Sequence, residues 1–143
     1  MESVITAGFM LFGYLVGSIP SAYIAGRLLK GIDIRKVGDG NVGAANAFRE
    51  IGPLAGLAVM VADVCKGVVV IVVTQALASQ MVVYLSGFAA VLGHILPVFL
   101  RFKGGRGEAT ASGVLVVLLP QAMLILLGIA LVPFIITRNT MLL

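Results

Sequence analysis

Apolar stretches without charge alternate with short charged ones along this chain. Residues 3–26 contain no Asp, Glu, Lys or Arg, and neither do 67–100 or 109–137. Residues 54 to about 78 are also apolar but contain Asp63 and Lys66. A membrane-spanning helix needs roughly 20 mostly apolar residues. The stretches 3–26 and 54–78 therefore predict one span each. The neutral run from Gly67 to Leu100 is too long for one span. Its polar weak point, Thr74 to Gln80, predicts a hairpin turn, with a third span from about Met81 to Leu100. Residues 109–137 predict a fourth, kinked by Pro120 and Pro133. Pro20 predicts that the first regular helix kinks or ends near Ser18. Gly13 and Gly17 form a small-xxx-small pair that lets another helix approach closely. The expected fold class is all-α: a polytopic helical membrane protein of about four spanning helices.

Composition narrows the classes. Of 143 residues, 60% are hydrophobic and 11% charged, and the mean hydropathy is +1.14. Soluble domains carry about 25% charged residues, so a soluble globular fold is excluded, and so is disorder. One cysteine, Cys65, excludes an internal disulfide and a Cys-based zinc cage. With one histidine, His94, no His-rich metal centre forms, and no metal is expected. There is no Trp and few loop aromatics, so no nucleic-acid partner is expected. Glu2 is the only early charge, unlike the basic start of a cleavable signal peptide. The first span is therefore expected to be retained.

The charges orient the chain. Arg27, Lys30, Arg35, Lys36 and Arg49 lie in the first connection, and Arg101, Lys103 and Arg106 in the third. The hairpin at 74–80 has no basic residue, Lys66 lies within a span, and Arg138 is alone in the tail. By the positive-inside rule, both glycine-rich connections are expected on the cytoplasmic face and the N-terminus outside.

These two loops hold the candidate chemistry. The first, Asp33 to Arg49, combines cations, Asp39, Asn41, Asn46, and glycines at 38, 40 and 43. Glycines let backbone N–H groups turn toward an anion. Arg35 and Arg49 suit bidentate binding of phosphate or carboxylate, and Asn41 and Asn46 suit hydroxyls. Arg27 and Lys30, close to the span, are better explained by topology and anionic lipid. The second loop, Lys103, Gly104, Gly105, Arg106, Gly107 and Glu108, leads through Ala109 and Thr110 into a predicted helix, a ready anion site. Its spacing is not that of a nucleotide-binding P-loop. Asp63 and Lys66 share one helix face. As ionisable groups within a span, they pair with each other or face substrate. His94, about two turns before the second loop, is either a hydrogen-bonded structural residue or a candidate for substrate binding or proton transfer.

Taken together, these residues resemble a known family. Gly17-Ser-Ile-Pro20, Asp33-Ile-Arg-Lys36, the run Gly38 to Asn46 and Arg49 are similar to the first motif region of the bacterial acyl-phosphate:glycerol-3-phosphate acyltransferases. Asp63-Val-Cys-Lys-Gly67 and the run Gly93 to Gly107, followed by Ala109-Thr110, resemble the family's next stretches in order and spacing. The resemblance implies a multi-pass enzyme of the bacterial plasma membrane, acting at the cytoplasmic face among membrane lipids. Its partners would be acyl-phosphate and glycerol 3-phosphate, with lysophosphatidate and phosphate as products, and no cofactor. It implies substrate binding by Asp39, Asn41, Asn46, Arg49, Lys66, Lys103, Gly104, Gly105, Arg106, Gly107 and Thr110. An acyl-phosphate is already activated, and its own phosphate, with a second pKa near ~6, suits acceptance of the hydroxyl proton.

The chain departs from the family pattern at Asp39, usually Ser, at Ala45, usually Thr, at Arg106, usually Lys, and at Glu108, usually aliphatic. Carboxylates beside phosphate sites repel substrate unless a cation pairs with them. The family also has a C-terminal motif with His, Asn and Glu, so residues 1–143 are expected to form a single acyltransferase-like domain without that motif. Two alternatives follow: a non-catalytic relative that binds lipid phosphate or a membrane partner, and a small anion carrier. The absence of an inverted repeat counts against the carrier.

Overall fold

A computed structural model describes residues 2–137, with side chains through Val132; Arg138 lies outside the described residues. The described residues are largely helical, and a helix satisfies its own backbone N–H and C=O groups in lipid. In order come α1 (Glu2–Gly17), α2 (Ser21–Lys30), α3 (Ala44–Glu50), α4 (Pro53–Leu77), α5 (Gln80–Ile95), α6 (Glu108–Leu118) and α7 (Pro120–Thr137), with single 3-10 turns at Ile34–Lys36 and Val98–Leu100.

Among the described residues, three helical segments are long and apolar enough to cross a membrane: Glu2–Lys30, Pro53–Leu77 and Gln80–Leu100. The first breaks at Ser18–Pro20, where proline was expected to end it. The hairpin turn falls at Ala78 and Ser79, inside the predicted 74–80 window. The fourth apolar stretch is split rather than kinked. Pro120 has no N–H to continue the ladder, so α6 ends at Leu118 and α7 begins at Pro120. At 1.5 Å per residue α6 is only about 16 Å long, short of the ~30 Å hydrocarbon layer. The polar connection is also more regular than expected. α2 continues to Lys30 and closes on Gly31 in the left-handed region (φ 67°), whose N–H bonds Arg27 while that of Ile32 bonds Gly26. Residues 44–50 form α3.

Small residues set the helix spacing. A Cβ on Gly13 or Gly17 would overlap the backbone of Ser86 or Ala90 in α5, so the α1 pair seen in the sequence is the α1–α5 seam. Gly67 of α4 and Gly113 of α6 face each other's backbones in the same way. Ile71, Val83 and Val114 are buried between α4, α5 and α6. A second core, Ala22, Ile34, Val42, Ala47, Ile51, Ala55, Val59 and Leu100, lies at the loop end. It fixes the first loop against α2, α3 and the start of α4. Outside, Leu11, Leu15, Val69, Val72 and Phe88 are exposed apolar side chains, as a lipid-facing surface requires. The molecule is an integral membrane protein.

Candidate functional site

The first loop is held by its own side chains. Asp33 caps the 3-10 turn by accepting from the Arg35 N–H (3.1 Å), and takes a fork from Arg35: Nε to Oδ1 at 2.9 Å and Nη2 to Oδ2 at 2.7 Å. Arg27 approaches Oδ2 at 3.5 Å. Both guanidinium groups lie over the Tyr23 ring, 5.2 and 5.1 Å from its centroid. The side-chain hydrogen bonds of Arg35 hold the Asp33 carboxyl at about 2, below its usual 3.8, against the opposing effect of burial. Arg35, read from sequence as suited to phosphate or carboxylate, takes the carboxylate of Asp33.

Arg49 remains at the surface. Its Nη2 donates to Asp39 Oδ2 at 2.6 Å, with the two side chains 51% and 42% exposed. Asp39 Oδ1 accepts the Asn41 N–H at 3.0 Å. That backbone bond, with the positive charges of Arg49 and of Arg106 from the second loop, pulls the Asp39 carboxyl below its ordinary range, against its desolvation. Asn41 is half-buried beside the loop backbone.

Asn46, expected to bind substrate, serves the first loop through its amide nitrogen. It is fully buried, and its Nδ2 donates toward the carbonyls of Ile34, Val37 and Asn41 at 3.1, 3.1 and 3.0 Å. It braces the loop from beneath, while its Oδ1 is buried without a partner among the described residues.

The second loop folds back on the end of α5. The N–H groups of Gly104 and Gly105 donate to the Ile95 and His94 carbonyls, both at 3.1 Å. These amides cap a helix and do not point at an anion, which narrows the expected cradle to Arg106 and the start of α6. A Cβ on Gly105 would collide with His94 Nε2 and lie 2.6 Å from the Val42 carbonyl of the first loop. Both glycine-rich loops and the histidine therefore meet at Gly105. Gly107, at φ 81°, turns the chain into α6. Lys103, Arg106 and Glu108 are exposed, and among the described residues none of the three forms an ion pair.

Under this meeting point lies a buried polar group. Lys66 Nζ is 2.5 Å from Asp63 Oδ1 and donates also to the Ile19 carbonyl at the α1–α2 break. Thr110 Oγ1 donates to the Asp63 carbonyl at 3.0 Å and lies 3.0 Å from His94 Nδ1. Asp63, Lys66, His94 and Thr110 are all buried. The ion pair anticipated from spacing is present, and it ties α4 to the break after α1. Removing one member of such a pair leaves an unpaired buried charge, costing about 3–5 kcal/mol. Thr110, expected to bind substrate, has its hydroxyl engaged by the Asp63 carbonyl and His94. A crevice of about 10 Å³, lined by Ser18, Ile19, Asp63, Lys66, His94 and Gly104, opens on this group. Ser18, placed by the sequence at the helix break and in the Gly17–Pro20 motif but not among the site residues, is fully buried with its Oγ unpartnered among the described residues. Only its place beside Pro20 hinted at a break that brings a hydroxyl inward. Among the described residues no three His, Cys, Asp or Glu side chains come together as a metal site.

Comparison with known proteins matches this arrangement to one family. The chain is 48% identical over 120 residues to a glycerol-3-phosphate acyltransferase of Exiguobacterium sibiricum, covering 84% of this chain and 58% of that one. It is 47% identical over 137 residues to glycerol-3-phosphate acyltransferase 1 of Dehalococcoides mccartyi, covering 91% and 66%. The chain thus spans roughly three fifths to two thirds of the length of these relatives. In three dimensions it resembles the crystal structure of PlsY (YgiH), an integral membrane glycerol 3-phosphate acyltransferase. The TM-score is 0.82 for the glycerol 3-phosphate form, at 38% identity, covering 91% of this chain and 66% of that one. For the lysophosphatidic acid form it is 0.78, at 37% identity, covering 90% and 64%. Residues 7–143 match the family described as glycerol-3-phosphate acyltransferase, and the chain belongs to that family.

Proposed function

We propose that this chain carries the substrate-binding face of an enzyme that moves a fatty acyl group from acyl-phosphate to glycerol 3-phosphate, giving lysophosphatidate and phosphate. The observation that carries this reading is the meeting of the two loops at Gly105. It brings Arg49 of the first loop and Arg106 of the second within electrostatic reach of the same Asp39, and sets Gly105 against His94. Two phosphorylated substrates call for such cations, and an acyl chain calls for a site that opens to lipid. The likeness to the glycerol 3-phosphate and lysophosphatidic acid forms of PlsY supports the same reading.

In this scheme Arg49 and Arg106 hold phosphate oxygens, and Lys103 adds charge at the rim. Lys66 and Asp63 fix the crevice floor, and Asn46 keeps the first loop in shape. In the same proposal the site lies at the cytoplasmic face of a bacterial inner membrane, an orientation that the basic loops support. Cysteine labelling in a Cys65→Ser background tests this: Gly40→Cys should label from inside and Ser79→Cys from outside, and the reverse pattern rules the orientation out.

A second reading, a relative that binds phosphate without turnover, is favoured by one feature: Asp39 already occupies Arg49. Supplying purified protein in lipid nanodiscs with glycerol 3-phosphate and either palmitoyl phosphate or palmitoyl-CoA separates the two. Lysophosphatidate formed from palmitoyl phosphate supports the transferase. Tight binding of glycerol 3-phosphate with no product from either donor supports the binding relative.

A further inference from the structure

α2 ends in cations that the fold itself leaves partly unused. Arg27 and Lys30, three apart, share one side of the helix. The half-exposed Arg27 donates from Nε to the Tyr23 hydroxyl at 3.1 Å and lays its guanidinium over that ring. Its Nη2 stands 3.5 Å from Asp33, whose two oxygens already take the closer fork of Arg35. The other Arg27 side-chain N–H groups have no hydrogen-bond partner among the described residues. Lys30 has three donors and gives one to the Glu50 carbonyl at 2.8 Å. The Glu50 carboxylate lies against Gly38 instead. Lys36 is exposed and forms no ion pair among the described residues. This corner therefore carries net positive charge and open donors.

The bond from Lys30 to Glu50 sets the end of α2 level with the start of α4 at Pro53. α4 has 25 residues, about 37 Å of helix, against a hydrocarbon layer of ~30 Å. The helix outreaches that layer, so its first turn stands among the headgroups. Large apolar side chains stand at the same level: Leu28 is 78% exposed, Leu29 64% and Leu54 81%. Ile24, one turn before Leu28, continues the exposed side of α2 toward the apolar layer. Water penalises bare leucines and hydrocarbon penalises cations. Both are satisfied at the boundary between headgroups and acyl chains.

We propose that this corner binds one anionic phospholipid. Arg27 and Lys30 hold its phosphate through their open N–H groups, and Ile24 and Leu28 lie along its acyl chains. Like charges one turn apart on a helix repel, and a phosphate between them relieves that repulsion. The site goes beyond orientation, which needs positive charge but no bound lipid. It shares no residue with Arg49, Arg106 and Lys103, and it stands whether or not the chain transfers acyl groups.

The chain has no tryptophan, so Leu28→Trp places a single indole beside the site. In nanodiscs of equal phosphatidylglycerol and phosphatidylcholine, bromine is carried on the upper acyl chain of one lipid or of the other. Brominated phosphatidylglycerol should quench the fluorescence more strongly. Leu77→Trp is the control: Leu77 is 69% exposed at the hairpin end of α4, where Thr74 to Gln80 carry no charge. There the two lipids should quench alike. Added to Leu28→Trp, Arg27→Gln and Lys30→Gln should each lower the preference up to about fivefold at low ionic strength. Inorganic phosphate at matched ionic strength should leave the quenching unchanged. Equal quenching of Leu28→Trp by both lipids, the same preference at Leu77→Trp, or a preference that survives both substitutions would overturn the proposal. So would loss of the preference to inorganic phosphate, which would make the corner a free-phosphate site. If the Arg27→Gln and Lys30→Gln variants do not fold, the comparison of Leu28→Trp with Leu77→Trp still decides.

Discussion

Arg49 Nη2 lies 2.6 Å from Asp39 Oδ2, so the first-loop cation proposed to hold a phosphate already holds a carboxylate. A ligand phosphate must compete with Asp39 for that guanidinium. Both side chains are about half exposed, and exposed pairs of this kind contribute only about 0.2–1 kcal/mol. Asp39→Ser should therefore tighten glycerol 3-phosphate binding by at most about fivefold. Calorimetric titration checks it, and weaker binding by the variant would make Asp39 a productive ligand.

Glu108 sits in the first turn of α6 beside Arg106 and forms no ion pair among the described residues. The helix N-terminus itself favours this carboxylate, which then opposes an incoming phosphate. Glu108→Val should strengthen phosphate-ligand binding by about 1 kcal/mol at low ionic strength, and by less as salt screens the charge. The same titration at two salt concentrations reads both effects. A gain that is independent of salt would point to a cause other than charge.

Gly105 has no room for a Cβ between His94 and the Val42 carbonyl. Gly105→Ala should force the loops apart and lower stability by about 1–3 kcal/mol, the usual cost of overpacking. Gly8, with open space around it, is the control: Gly8→Ala should leave the melting temperature near that of the wild type. Equal melting of both variants would mean that the loops part without cost.

Asp33 gives a pH signature. Its folded value of about 2 lies below the ordinary 3.8, so the folded state binds this proton less readily than the unfolded chain. The stability it contributes is complete above about 4 and is lost as pH falls toward 2. The amount is about 1–2 kcal/mol. Asp33→Asn should lower the melting temperature in detergent at neutral pH and flatten the decline between about pH 4 and 2. An unchanged acid profile would show that Asp33 is not its source.

The sequence made the large-scale arrangement legible because lipid imposes simple rules. Runs without charge marked the helices, Pro20 marked the first break, and the polar stretch at 74–80 marked the hairpin. Gly13 and Gly17 announced a close seam, and the spacing of Asp63 and Lys66 announced their pairing. The family was legible too, from the order of its motifs. What stayed hidden was which polar groups the fold itself uses. Arg35 has the chemistry of a phosphate ligand, but Asp33 takes its fork. Asn46 has the chemistry of a hydroxyl ligand, but three loop carbonyls take its amide. Thr110 stands beside a glycine-rich turn, but its partners come from positions 63 and 94. Residue type states what a side chain can bind; long-range packing decides what is left free. The split of 109–137 was missed because Pro120 was read as a kink in a single helix.

Acyl transfer has a stoichiometric signature that simple binding or hydrolysis lacks. Purified protein in nanodiscs, given palmitoyl phosphate with and without glycerol 3-phosphate, should be assayed for lysophosphatidate and inorganic phosphate in the same reaction. If the two loops join acyl donor and glycerol acceptor in one site, the products appear one to one, and both require glycerol 3-phosphate. Phosphate released equally without glycerol 3-phosphate, or neither product from folded protein, would contradict the account.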